Sequence, residues 1–287
     1  MYENTVSGFK VDKRDTAKLY LKIEGDDIET EEEERANGVL KNIAFKLEIA
    51  NTIHIYEYGK ISKLNLEGLK KVKYRYYDNN SDVHDLGTFE ISDAQKWKNG
   101  SKYKKTGWKK ITSTDNDGSS INRYYEYDSG KIKLIKFKLP ISYQKKDLKI
   151  KLNDNPSREY INPEAYACLI GAIADNDFPD LTLNGFTSAD GTSAPSVTHY
   201  NGIAGDFRYL RKDKKVQTLH INTSPNDLDV VRQDKFIDAL MKFGWGSFLS
   251  YDITLNGSSF RLEHTEHKPH HHHHLHLNKE DFKPNYK

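Results

Sequence analysis

The sequence predicts an α+β protein, with a first half built of strands and a second half that mixes strands with helices. Three observations carry this. Segments of alternating or continuous β-branched and aromatic residues recur up to about Lys151, a helix-start signal stands at Asn162-Pro163, and an amphipathic stretch runs from Asp227 to Phe243. In the first half, Thr52-Ile-His-Ile-Tyr-Glu-Tyr and Lys131-Ile-Lys-Leu-Ile-Lys-Phe-Lys-Leu read as strands, the second with lysines outward and apolar residues inward. Turn chemistry punctuates them at Asp78-Asn-Asn-Ser-Asp, Asn99-Gly100, Asp115-Asn-Asp-Gly and Asp128-Ser-Gly130, which predicts hairpins. The polar stretch Asn153-Asp-Asn-Pro-Ser-Arg marks a change of pattern and predicts a boundary between a β-rich domain over 1–151 and a second domain over 152–287. Asn162 as N-cap and Pro163 at the first helical position then open a short buried helix over Glu164 to Ala174. Asp180-Leu-Thr-Leu-Asn-Gly-Phe follows as a strand. The Asp227–Phe243 helix offers Val230, Val231, Phe236, Ile237, Leu240 and Met241 as its apolar face, Gly244 ends it, and Ser247-Phe-Leu-Ser-Tyr-Asp-Ile resumes as strand.

Composition narrows the function. The 287 residues can bury a core without disulfide or metal staples, and 44 Lys+Arg against 42 Asp+Glu leave a net charge of +2, far from the excess that phosphate neutralisation demands. Nucleic acid is therefore not expected as a partner. No window has the run of apolar residues a membrane span needs, and the residues after Met1 carry no Sec-type apolar stretch. The single cysteine, Cys168, sits in an apolar run and reads as a buried small hydrophobe, so thiolate chemistry is not expected. Of two charged runs, acidic Glu31–Glu34 reads as a solvated loop; the basic-aromatic Lys102–Lys110 reads as an exposed hairpin or a grip for an anionic polymer.

Chemistry concentrates in two segments. In Ser196-Val-Thr-His199-Tyr-Asn-Gly202-Ile-Ala204-Gly-Asp206-Phe-Arg208, a His and an Asp seven apart lie outside helical ligand spacing, and the small residues between them let two adjacent backbone segments bring one ligand each to a common point. A loop His with a surface Asp is the plain alternative. The second segment, Glu263-His264-Thr-Glu266-His267-Lys-Pro-His270 to His274-Leu275-His276-Leu277, holds eight of the twelve histidines. It is open to three readings: a purification tag, a solvated metal-scavenging loop, or a strand on which His274 and His276 share one face while Leu275 and Leu277 turn to the core.

Taken together, His199-x-x-Gly-x-Ala-x-Asp206 and the later His274-x-His276-Leu resemble the LAS zinc peptidases of peptidoglycan, the group of lysostaphin, D-Ala-D-Ala metallopeptidases and hedgehog, over about residues 160–280. The resemblance implies a Zn2+ ion held by His199, Asp206 and His276, with His274 and His271 as catalytic histidines. It implies bacterial peptidoglycan as the partner and hydrolysis of its stem or cross-link peptides as the activity, with 1–151 serving for targeting or attachment. Where D-Ala-D-Ala branches carry Ser-Gly-Tyr-Arg-Ser, this chain has Asn184-Gly-Phe-Thr187-Ser188; where other branches place an acidic base, it has His273. The base then falls to a histidine or to Glu263 or Glu266. Arg208 is a candidate to polarise the scissile carbonyl, against the reading of a surface salt bridge. Such an enzyme, made without a Sec signal, is expected to reach the periplasm or wall after lysis, or through a secretion apparatus, with an immunity protein as a further partner. A non-catalytic zinc-containing binding module of hedgehog-like fold is the alternative.

Overall fold

A computed structural model describes residues 51–115, 118–154, 158–255, 257–277 and 282–287; the acidic run Glu31–Glu34 and part of the 153–158 stretch lie outside them. In chain order the elements are β1 (Thr52–Tyr56), β2 (Lys60–Ile61), β3 (Lys71–Tyr77), β4 (Val83–Ser101), β5 (Lys109–Thr114), β6 (Ser120–Lys136), β7 (Ile141–Lys145), β8 (Leu148–Asp154) and β9 (Tyr160–Ile161). There follow α1 (Pro163–Ala174), β10 (Thr182–Gly185), β11 (Gly205–Phe207), α2 (Val230–Lys242), β12 (Phe248–Ser250), β13 (Ile253–Leu255), β14 (Ser258–Phe260), β15 (Thr265–His267) and β16 (Leu275–Leu277). The architecture is α+β and rich in sheet.

One sheet runs β2-β1-β3-β4-β6-β5, with β9 added beside β6, and all its neighbours are antiparallel except β1 and β3. Its spine is the long ribbon of β4 and β6. Asp128-Ser-Gly130, expected as a hairpin turn, lies inside this ribbon: Gln95 pairs with Lys131 and Trp97 with Tyr127, so three residues of β6 face one of β4. The turn-prone residues are absorbed as a bulge because the ladder continues on both sides of them. Asp78 to Asp82 does join two strands, and the Lys102–Lys110 run supplies the loop between β4 and β5 and the first two residues of β5, with Tyr103 exposed and Lys109 bonded to Asp190 and set over the Trp97 ring.

The second sheet runs β15-β12-β16-β11-β10-β8-β7. The 151/152 position falls inside β8, which pairs with β7 on one side and β10 on the other. Residues Thr52–Lys287 form one compact unit, and a single hydrophobic core joins Ile53, Tyr74 and Ile135 of the first sheet to Leu183, Phe207 and Leu277 of the second.

Helix α1 lies in that core, buried along almost its whole length, and its start is the expected one: the Asn162 side chain accepts from the N–H groups of Glu164 and Ala165. Cys168 is fully buried within it, and burial pushes its thiol well up from the ordinary value. Gly171 admits the Phe243 ring; an added Cβ would stand 2.2 Å from Cε1. Helix α2 is capped by Asp229, which accepts from Arg232 N–H, and buries Gln233, Phe236, Ile237 and Leu240. Val231 and Met241, expected on that face, are exposed. The stripe runs at i, i+3, i+4 and i+7 from Gln233, whose side chain accepts from the Leu210 N–H, so a polar residue takes the place that counting apolar residues gave to others.

Candidate metal centre

Strand register builds the centre. β11 and β16 are antiparallel neighbours with Gly205 opposite Leu277, Asp206 opposite His276 and Phe207 opposite Leu275. Directly opposed residues point to one face, so the pleat sends Phe207, Leu275 and Leu277 into the core and sets the Asp206 carboxylate beside the His276 ring. Asp206 Oδ1 lies 2.9 Å from His276 Nδ1.

His199 arrives from a loop. Just after it Asn201 and Gly202 both take positive φ, a tight turn that Gly and Asn tolerate. The Asn201 side chain accepts from Trp97 N–H and donates to the Trp97 carbonyl, which ties the loop to β4. His199 is thereby buried with Nε2 2.9 Å from His276 Nδ1 and 3.2 Å from Asp206 Oδ1, its ring stacked on that of His276.

These three ligand atoms fit one transition-metal ion. They form a triangle with edges of 2.9, 2.9 and 3.2 Å. Its corners lie about 1.7 Å from its centre, inside the 2.0–2.1 Å of a zinc–nitrogen bond, so His199, Asp206 and His276 would all be within bonding reach of one cation. Two imidazole nitrogens with one carboxylate oxygen is a donor set for zinc and its neighbours rather than for magnesium or calcium. Among the described residues this is the one His/Cys/Asp/Glu group whose ligand atoms converge so closely.

Electrostatics keep His199 and Asp206 in the charge states that metal binding needs. Burial brings His199 down to about 3, against the pull of the Asp206 charge. Burial also works against ionisation of Asp206, but His199, His274 and His276 hold its carboxyl well below the ordinary value. At neutral pH His199 is neutral and Asp206 is ionised, which are the states a metal ligand needs.

The structure adds Arg158, which no motif in the sequence singles out. Its guanidinium is nearly buried; Nη2 stands 3.4 Å from Asp206 Oδ2 and 3.3 Å from His199 Nδ1, and Nε donates to the Phe186 carbonyl. Arg158 thus takes Oδ2 and leaves Oδ1 turned towards the histidines. Gly185, at φ +133°, lets Arg158 approach: an added Cβ would meet its carbonyl oxygen at 3.1 Å and its Cβ at 3.2 Å. A guanidinium only donates, so facing it the neutral His199 carries its proton on Nε2. Ligation through Nε2 therefore requires that proton to move to Nδ1 and the contact with Arg158 to give way.

His274 and His271 stand beside the triad. His274 Nε2 is 3.5 Å from Asp206 Oδ1, and burial lowers its pKa. The His271 ring packs 4.6 Å from that of His274 and edge-on to that of His276, and burial brings it down to about 4. His271 Nδ1 lies 3.2 Å from the Pro269 carbonyl, an acceptor only, so the ring proton is on Nδ1 and the Nε2 lone pair is open.

The other sequence-predicted residues lie apart from these contacts. Glu266 is exposed on β15, with Arg261 as its charged neighbour, and Glu263 is exposed as well. Arg208 shares the Asp206 side of its strand, where Nε faces Asn184 Oδ1 at 3.3 Å, and makes no ion pair among the described residues. Thr187 is buried and donates to the Thr192 carbonyl. A buried carboxylate held between histidines needs a further compensating cation, and that requirement is the one signal by which Arg158 could have been sought.

No family model matches this chain, and neither the curated proteins nor the solved structures contain a match to it.

Proposed function

We propose that the protein is a zinc-dependent peptidase acting on the peptide stems or cross-links of bacterial peptidoglycan. The observation that supports this best is the convergence of His199, Asp206 and His276 on one point, with two further neutral histidines beside it. A zinc ion with three protein ligands supplies a Lewis acid and lowers the pKa of its water towards 7. Asp206, held by Arg158 through Oδ2, offers the anionic ligand. His274 at Asp206 Oδ1 and His271 with an open Nε2 can take a proton from the nucleophile and return it to the leaving amine. In this reading Arg208, free of an acidic partner among the described residues, binds a carbonyl or carboxylate of the peptide. Residues 1–151 would carry attachment to the wall. Access to the periplasm would come by lysis or by a secretion apparatus, with an immunity protein protecting the producer.

One observation favours a second reading, a zinc-containing binding module without turnover: Glu263 and Glu266 are exposed, and neither is paired with a histidine of the centre. Zinc content measured with free-amine release from purified peptidoglycan separates the two. For the peptidase, His276→Ala loses zinc and cleavage together, while His274→Ala keeps zinc and loses cleavage. Zinc bound without cleavage of several wall types selects the binding module.

A further inference from the structure

The histidine run 270–274 is longer than one metal centre uses, and the fold brings it a partner from a distant loop. His220 opens the turn over residues 221–223. Its carbonyl accepts from the N–H groups of Thr223 and Ser224, and the next residue, Ile221, donates its N–H to the His272 carbonyl at 2.8 Å. Tyr209 fixes the same run from the other side, donating its hydroxyl to the His271 carbonyl at 2.7 Å. These bonds hold His220 against His272 and His273, with ring centres 5.5 Å and 5.8 Å from His220 and 5.0 Å between the other two.

Three imidazoles on one tetrahedral zinc place their ring centres about 5 Å apart, given zinc–nitrogen bonds of 2.0–2.1 Å. The observed spacing is close to that, and rotation about the soft χ2 torsion, easiest for exposed His220, can turn the nitrogens inward. His273 Nδ1 also points to a missing ligand: it is buried and has no hydrogen-bond partner, a costly situation unless something satisfies the atom.

We propose that His220, His272 and His273 form a second metal site, outside the buried triad, for a borderline transition-metal dication such as Zn2+, Ni2+ or Co2+. Its donors are all imidazole, which excludes magnesium and calcium as its ions. The site abuts the first through His273 and His274, whose rings are 4.5 Å apart. It is the weaker of the two, because its rings must turn and it lacks an anionic ligand.

The test is zinc titration of the whole chain by equilibrium dialysis, and it does not depend on whether the protein hydrolyses anything. His220→Ala/His272→Ala is expected to bind one zinc fewer than wild type and to keep the tight class, with an unchanged circular dichroism spectrum. His276→Ala is expected to lose the tight class and keep the weak one. A control with His264→Ala/His267→Ala retains both. An unaltered stoichiometry in the His220/His272 variant, a wild type that binds a single ion, or loss of both classes in that variant overturns the proposal.

Discussion

Arg158→Met tests the feature of the centre that only the folded chain reveals. The guanidinium is 8% exposed and its partner Asp206 14%, so neither group is well solvated. Methionine keeps the aliphatic stem and most of the volume, which confines the change to the charge and its hydrogen bonds. Loss of a charge-assisted bond to Asp206 is worth about 1.5–3 kcal/mol, and leaving the Phe186 carbonyl without its donor adds about 1–2 kcal/mol. The sum, about 2.5–5 kcal/mol, overlaps the roughly 3–5 kcal/mol typical of breaking one partner out of a buried ion pair. In a unit of this size each kcal/mol moves the melting temperature by about 2–4 °C, so a fall of about 10 °C is expected. Urea and thermal unfolding in the presence of chelator measure it, and a cycle with Asp206→Asn assigns the loss to the pair. A destabilisation below about 1 kcal/mol, or an equal cost of Arg158→Met in the Asp206→Asn background, would refute the reasoning.

Three further outcomes follow from the geometry. His199 is held to about 3 in the folded state against an ordinary 6.5, so the unfolded chain takes up a proton that the folded one refuses. Stability of the chelated protein is therefore complete above pH 6.5 and declines as pH falls from there towards 3, by up to about 1.4 kcal/mol per pH unit for this residue, and urea midpoints at pH 7, 6 and 5 that coincide would contradict it. On α2, Phe236→Ala is expected to cost about 3–5 kcal/mol and Val231→Asp less than about 0.5 kcal/mol, as read by thermal melts. Gly171→Ala drives a methyl into the Phe243 ring and is expected to cost about 1–3 kcal/mol, so a melting temperature equal to wild type would show that α1 and α2 pack otherwise.

Much of this protein is local in origin and for that reason legible in its sequence. Asn162 and Pro163 start α1 because a capping side chain and a preset φ act on the next few residues alone. The alternation of Leu275-His276-Leu277 prescribes which side chains face the core wherever the strand lies, and the ligand residues stood out because few other arrangements call for such histidines near an Asp. Non-local choices needed the tertiary structure. That Asp128-Ser-Gly130 bulges instead of turning depends on β4 pairing along both sides of it, and the face of α2 depends on Leu210 presenting an N–H to Gln233. Register alone set Asp206 opposite His276. Arg158 carries no local signature, since what calls for it is a buried carboxylate 48 positions away along the chain. Burial and long-range pairing are properties of the assembled core, and no window of sequence contains them.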